Sequence, residues 1–417
     1  MTAVTAPEEV ARIQGRVVRV LALGQVLGGV AFGATVSLGA LLAADISGQE
    51  SLSGFATASV TLGAALCAIP LARLAAARGR RTALTLGNLF ALVGIAIVVT
   101  AAALRVFPLL LAGVVLIGAG NAGNLQSRFA ATDLAAGERR GRDLGTVVWA
   151  TTVGGVLGPL LLTPGEALGR LVGMPPLTGA YLFSIVAQAA ALILYLVALR
   201  PDPLLLAQRI SRDAAGGAAP PFDADRPLAA RYAMFAVAAS HVVMASVMAM
   251  TPVHLKHLAH AGHGGVAGAN EAVTLLVGTT IALHVLGMYG LSPVFGWLAD
   301  RWGRVAVVLL GQGVLACALL LATFGSDVQG IVIVALFLLG LGWSAATVAG
   351  AALLTESTPV DLRPRRQGIG DTLMTSSAAV GAVLAGVVLG QWGYGALALV
   401  ALVLVALTTV LSPLARR

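Results

Sequence analysis

The sequence predicts an all-α integral membrane protein, with twelve transmembrane helices in two pseudo-symmetric six-helix bundles. Three observations carry this reading. The 417 residues are 58% hydrophobic and 11% charged, with a mean hydropathy of +0.92, whereas soluble domains are about 25% charged. Apolar runs near the roughly 20 residues that cross a bilayer recur along the whole chain. Two stretches half a chain apart also share one residue frame.

Twelve spans are expected at about 17–44, 52–72, 82–103, 106–129, 145–163, 179–199, 229–252, 271–293, 305–324, 329–354, 367–390 and 395–412. With the N-terminus inside, 23 of the 26 Lys and Arg residues fall in cytoplasmic segments or helix ends. Only Arg105, Arg170 and Lys256 fall outside, so the positive-inside rule places both termini in the cytoplasm. The net charge of +8 is thus a topology signal, and no nucleic-acid partner is expected; the partner of the apolar surface is the lipid bilayer. The lead into the first span is polar and Arg-bearing, and that span is too long for a signal-peptide core, so no cleavable leader is expected.

The first span is rich in small residues, which allow close helix approach, and Gln25 is its strongly polar residue before Asp45 at the outer end. The second span ends in ARLAAARGRRTAL and the eighth in GWLADRWGRVAVV. The shared frame sets Gly79 and Gly303 in register, 224 residues apart, and Thr132-Asp133 after the fourth span corresponds to Thr355-Glu356 after the tenth, 223 apart. Tandem copies of six helices follow: an N-terminal bundle over 1–200, a cytoplasmic linker over 201–228 with a short amphipathic helix near LLLAQRI, and a C-terminal bundle over 229–417.

Gly296-Trp297-Leu298-Ala299-Asp300-Arg301-Trp302-Gly303-Arg304 resembles the loop motif of the major facilitator superfamily. The resemblance covers the whole chain. It implies that Asp300, Arg301 and Arg304 form a conformational latch; the first-half copy has Ala76 where the second has Asp300, so its latch is degenerate. The third span holds Asn88. In the fourth, Asn121, Asn124 and Arg128 share one face, with pore lining and interhelical hydrogen bonding both open to them. Gly145, Gly154 and Gly158-Pro159 in the fifth fit the spacing of the superfamily's antiporter motif without its closing glycine pair, while Val114 stands where drug/proton antiporters carry an Arg. The outer segment after the fifth span reads as turns, and the sixth span is apolar apart from Gln188.

The seventh and eighth spans carry the chemistry. His241, Met244 and Met248 fall on one face of the seventh, and His284 and Met288 lie four apart on the eighth. Thioether and imidazole donors select Cu(I) over hard cations, so copper is the expected cargo, as a transported substrate and not a permanent cofactor. Methionine packing with a histidine used for proton coupling or a structural hydrogen bond is the alternative. The pair M-x-x-x-M and H-x-x-x-M is similar to the bacterial copper importers of the CcoA type, matched by Met244, Met248, His284 and Met288. That resemblance implies import across the bacterial inner membrane toward assembly of the cbb3-type cytochrome oxidase, with periplasmic and cytoplasmic copper chaperones as partners. Between the two spans, His254, His257, His260 and His263 stand three apart on the outer side; a loose capture site and a solvated loop are both open there.

The ninth span holds Gln312 and Cys317, the tenth Trp343 beside a glycine pair, and the eleventh Asp371 near its cytoplasmic start. Cys67 and Cys317 read as buried packing thiols. No span has a carboxylate at its middle, which argues against an acidic proton relay. No enzyme motif and no nucleotide-binding loop is present, so a non-enzymatic transporter is expected. A proton-coupled exporter of a small organic compound is the rival, and a metal sensor or assembly factor stands third.

Overall fold

The computed structural model describes residues 7–49, 52, 54–214, 225–262 and 269–416. Among them there is no strand, and the twelve expected spans fall on helices. They are α1 (Pro7–Ser47), α2 (Gly54–Leu104), α3 (Phe107–Ala130), α4 (Arg140–Leu160), α5 (Leu162–Leu171), α6 (Tyr181–Ala198), α7 (Pro203–Ala214), α8 (Pro227–Gly262), α9 (Ala269–Tyr289), α10 (Ser292–Trp302), α11 (Arg304–Phe324), α12 (Gln329–Glu356) and α13 (Arg363–Val410). The fifth span runs from α4 into α5 and the eighth from α9 into α10. Among the described residues, nine helical stretches are long and apolar enough to cross a membrane.

Two helices each hold two spans. α2 breaks at Gly79 (φ 87°, ψ 167°) and α13 at Gly393 (φ 83°, ψ 177°). The loops expected there are single-residue kinks, because glycine alone takes this backbone region without strain. Gly303, the partner of Gly79 in the sequence repeat, has φ 94° and ψ 149°. The repeated glycine therefore does the same backbone work in both copies.

The chain divides into two compact units. One comprises Met1–Asp225 with Thr355–Thr372, the other Arg226–Leu354 with Leu373–Arg417. In the first unit α2 and α3 pair most extensively, and α1 packs on α4 and α6. α2 and α3 meet backbone to backbone: a Cβ on Gly63 would lie 1.9 Å from the Val115 carbonyl oxygen, and one on Gly118 would lie 2.1 Å from that of Val60. Gly63→Ala is therefore expected to destabilise the unit by about 1–3 kcal/mol through overpacking. Gly313→Ala, at an exposed helical site with nothing within 4 Å of its Cβ, is expected to stabilise by about 0.5–1 kcal/mol. Thermal unfolding midpoints in detergent compare the two, and equal shifts would refute the close-approach account.

The amphipathic linker helix is α7, capped by Asp202, whose Oδ1 accepts from the backbone N–H of Leu204 and Leu205. Asp202 Oδ2 accepts the Arg81 N–H at 2.7 Å, tying the linker to the Gly79 kink. The apolar face of α7 buries Leu204 and Ala207 with Val360 and against Leu134. Residues 215–224 of the expected linker lie outside the described residues. Asp225 pairs with Arg366 at 2.6 Å, which holds this exposed carboxyl below its usual range.

Two expectations need correction. The outer segment read as turns contains α5, whose Glu166 accepts from the backbone N–H of Leu177 and Gly179 and so folds the segment back on the helix. The cysteines are not buried: Cys67 is half-buried and Cys317 exposed. A membrane span turns apolar side chains outward as well as inward, so an apolar setting in sequence does not imply burial.

Candidate functional site

The candidate site lies in the second unit, on α8, α9 and α12. Glycines set its spacing. A Cβ on Gly340 would lie 2.5 Å from the His284 carbonyl oxygen, and one on Gly287 would lie 2.7 Å from that of Phe337, so α9 and α12 touch through their backbones. That approach carries His284 Nδ1 to the Leu336 carbonyl oxygen at 2.6 Å. A carbonyl only accepts, so Nδ1 holds the proton and Nε2 holds the lone pair. His284 is 0% exposed, and among the described residues its Nε2 has no hydrogen-bond partner.

Met244 and Met288 belong to one buried cluster with Val247, Leu336, Leu339 and Trp343, and Met248 packs against it. The two methionines are 3% and 7% exposed. Thioethers from both helices thus enter the apolar core through which α12 passes.

His241 stands differently. Trp343 Nε1 donates to His241 Nδ1 at 2.8 Å, with ring centroids 5.6 Å apart. Tyr289 meets Trp343 edge-on at 5.7 Å. His254 stacks on Tyr394 at 4.2 Å and 3°, and its Nε2 donates to the Ser326 carbonyl oxygen at 2.8 Å. His257 and His260 lie on α8, with side chains outside the description, and His263 lies outside the described residues. Among the described residues, no three His, Cys, Asp or Glu side chains group as a metal site; a thioether site falls outside that set of residue types.

At the motif loop, Arg304 pairs with Asp300 at 3.1 Å and donates to the Ala299 carbonyl oxygen at 2.7 Å. Arg301 lies 5.5 Å over the Trp297 ring. In the first-half copy, Arg80 finds a carboxylate despite Ala76. Arg80 forks onto Asp133 at 2.8 and 3.3 Å and reaches Gln367 at 2.5 Å, so the missing carboxylate is replaced from the end of α3. Thr132 and Thr355, equivalent in the repeat, hydrogen-bond each other at 3.3 Å. Arg128 pairs with Asp371, both buried inside the first unit, so Arg128 does not reach for the surface. The sequence marks these residues by their polarity within apolar spans, but not their pairing. The Leu336 carbonyl has no sequence signal at all.

The description "Major Facilitator Superfamily" is that of the family model matching residues 21–276 and 268–417. The chain belongs to this superfamily. It is 34% identical over 401 residues to an uncharacterized MFS-type transporter, YddS, of Bacillus subtilis (strain 168), covering 94% of this chain and 88% of the relative. It is 30% identical over 411 residues to the riboflavin transporter RfnT of Brucella anthropi, covering 94% and 95%. Its fold is similar to that of the human organic anion transporter MFSD10, with a TM-score of 0.74 at 21% identity, covering 96% of this chain and 99% of that one. This superfamily member is thus a multi-pass membrane transporter.

Proposed function

We propose that this transporter is a secondary-active copper importer of the inner membrane, with both termini cytoplasmic. The halves 1–200 and 229–417, tethered by 201–228, alternate access to a soft site built from Met244, Met248, His284 and Met288, with His241 beside it. One observation carries the reading: His284 presents a buried Nε2 lone pair that meets no partner among the described residues, while its Nδ1–H is fixed on a backbone carbonyl. That is how metal-ligating histidines are held, the second nitrogen anchoring ring and tautomer. Thioethers in the adjoining cluster supply the soft donors that favour Cu(I). The copper would pass to a cytoplasmic chaperone and onward to assembly of a cbb3-type oxidase.

A proton-coupled exporter of a small organic compound is the second reading. The riboflavin transporter relative favours it.

Radiolabelled copper uptake into proteoliposomes under reducing conditions, with and without excess riboflavin, separates the two. The importer reading expects saturable copper uptake that riboflavin leaves unchanged. Absence of copper uptake by folded protein, with labelled riboflavin crossing instead, would overturn it.

A further inference from the structure

The two intramembrane histidines are held in opposite neutral forms. His284 gives its Nδ1 proton to the Leu336 carbonyl oxygen and keeps a lone pair on Nε2. An indole N–H only donates, so His241 Nδ1 must be the acceptor toward Trp343. In a neutral imidazole the other nitrogen then carries the proton, and His241 Nε2 is an N–H group. An N–H nitrogen has no lone pair to offer a metal. The indole that imposes this is itself fixed: Trp343 is 4% exposed, Tyr289 meets it at 88°, and Tyr289 directly follows Met288 in sequence.

We propose that Trp343 is a specificity-determining positioning residue, whose indole N–H keeps His241 out of the coordination of the cargo so that the site accepts Cu(I) and refuses Zn(II). The inference rests on the copper reading. With His241 withheld, the site has one imidazole and a set of thioethers, which is ample for Cu(I). Zn(II) favours four imidazole, thiolate or carboxylate ligands in a tetrahedron, and thioethers are poor substitutes. Releasing His241 would add a second borderline nitrogen donor and relax that discrimination. The seventh-span histidine thereby guards against the wrong metal by being held as a donor.

The test uses the full chain in detergent or nanodiscs. Imidazole-nitrogen NMR of isotope-labelled wild type is expected to show His241 protonated on Nε2 and His284 protonated on Nδ1. Trp343→Phe keeps an aromatic ring against Tyr289 but removes the N–H. It is expected to mix the His241 tautomers, leave His284 unchanged, and raise Zn(II) affinity by about tenfold or more. Trp343→Phe combined with His241→Ala is expected to reverse that gain. Wild-type His241 protonated on Nδ1 would overturn the inference without any variant, as would unchanged Zn(II) affinity in folded Trp343→Phe. Failure of wild type to bind Cu(I) at all would overturn the copper reading instead, and the NMR result distinguishes the two.

Discussion

On the proposed copper-importer reading, His284→Ala is expected to lower copper uptake by at least about a hundredfold, beyond the 10–100-fold typical of losing a residue that only supports a ligand. On that reading the substitution removes the imidazole whose Nε2 lone pair would hold the cargo. Its structural cost is small by comparison. The Leu336 carbonyl already belongs to the helical ladder of α12, so losing the Nδ1–H donor forfeits about 1 kcal/mol, and the lost ring volume adds a cavity term. His284→Gln separates the roles, because its amide N–H can still reach the carbonyl while offering no imidazole. The expected result is near wild-type thermal stability with uptake as low as in the alanine variant. Full uptake by the glutamine variant would show that His284 serves only to hold α9 against α12.

Much of this was legible in the sequence. Twelve apolar runs and the Gly79/Gly303 frame specify the helices, because bilayer thickness and backbone satisfaction leave few other solutions. The histidines and methionines of α8 and α9 stand out in the sequence because these residues are scarce in this chain (6 and 8 of 417 residues) and fall at helical spacing. What stayed hidden are contacts set by tertiary approach. Ala76 suggested a degenerate first latch, yet Arg80 finds Asp133 53 residues onward. Asp371, flagged only for its depth, meets Arg128 across 243 residues. His241 read as a ligand because spacing places a residue on a face and says nothing of tautomer; Trp343, 102 residues away, decides that.

Asp371→Ala is expected to be among the most destabilising single substitutions in the first unit. Arg128 and Asp371 are 4% and 1% exposed. Removing one member of a buried ion pair costs about 3–5 kcal/mol, because the other charge has already left water. The Phe129 ring lies 4.9 Å beneath the Arg128 guanidinium and recovers only part of this, since a cation–π contact is worth about 0.5–2 kcal/mol. The double variant Arg128→Met with Asp371→Leu removes both charges and is expected to unfold close to the wild-type midpoint. Thermal scans in detergent decide the matter. A double variant no better than Asp371→Ala would show that packing around these side chains, and not the buried charge, sets the cost.

The glycine contacts between α2 and α3 and between α9 and α12 bear on motion as well as packing. Where backbone meets backbone, as Gly63 meets the Val115 carbonyl and Gly340 that of His284, no side chain is immobilised by the contact. Ordering a long side chain costs up to about 2 kcal/mol, and glycine has none to order. Elsewhere along α9 and α12 side chains do interlock, with Met288, Leu336, Leu339 and Trp343 in one cluster, but at these glycines the helices meet without them and resist separation because dispersion falls off within an ångström. Sliding of a few tenths of an ångström along α9 and α12 would move the Leu336 carbonyl relative to His284, loosening the hydrogen bond that fixes the ring. On the proposed reading, the hold on the cargo would then follow the position of α12 along α9.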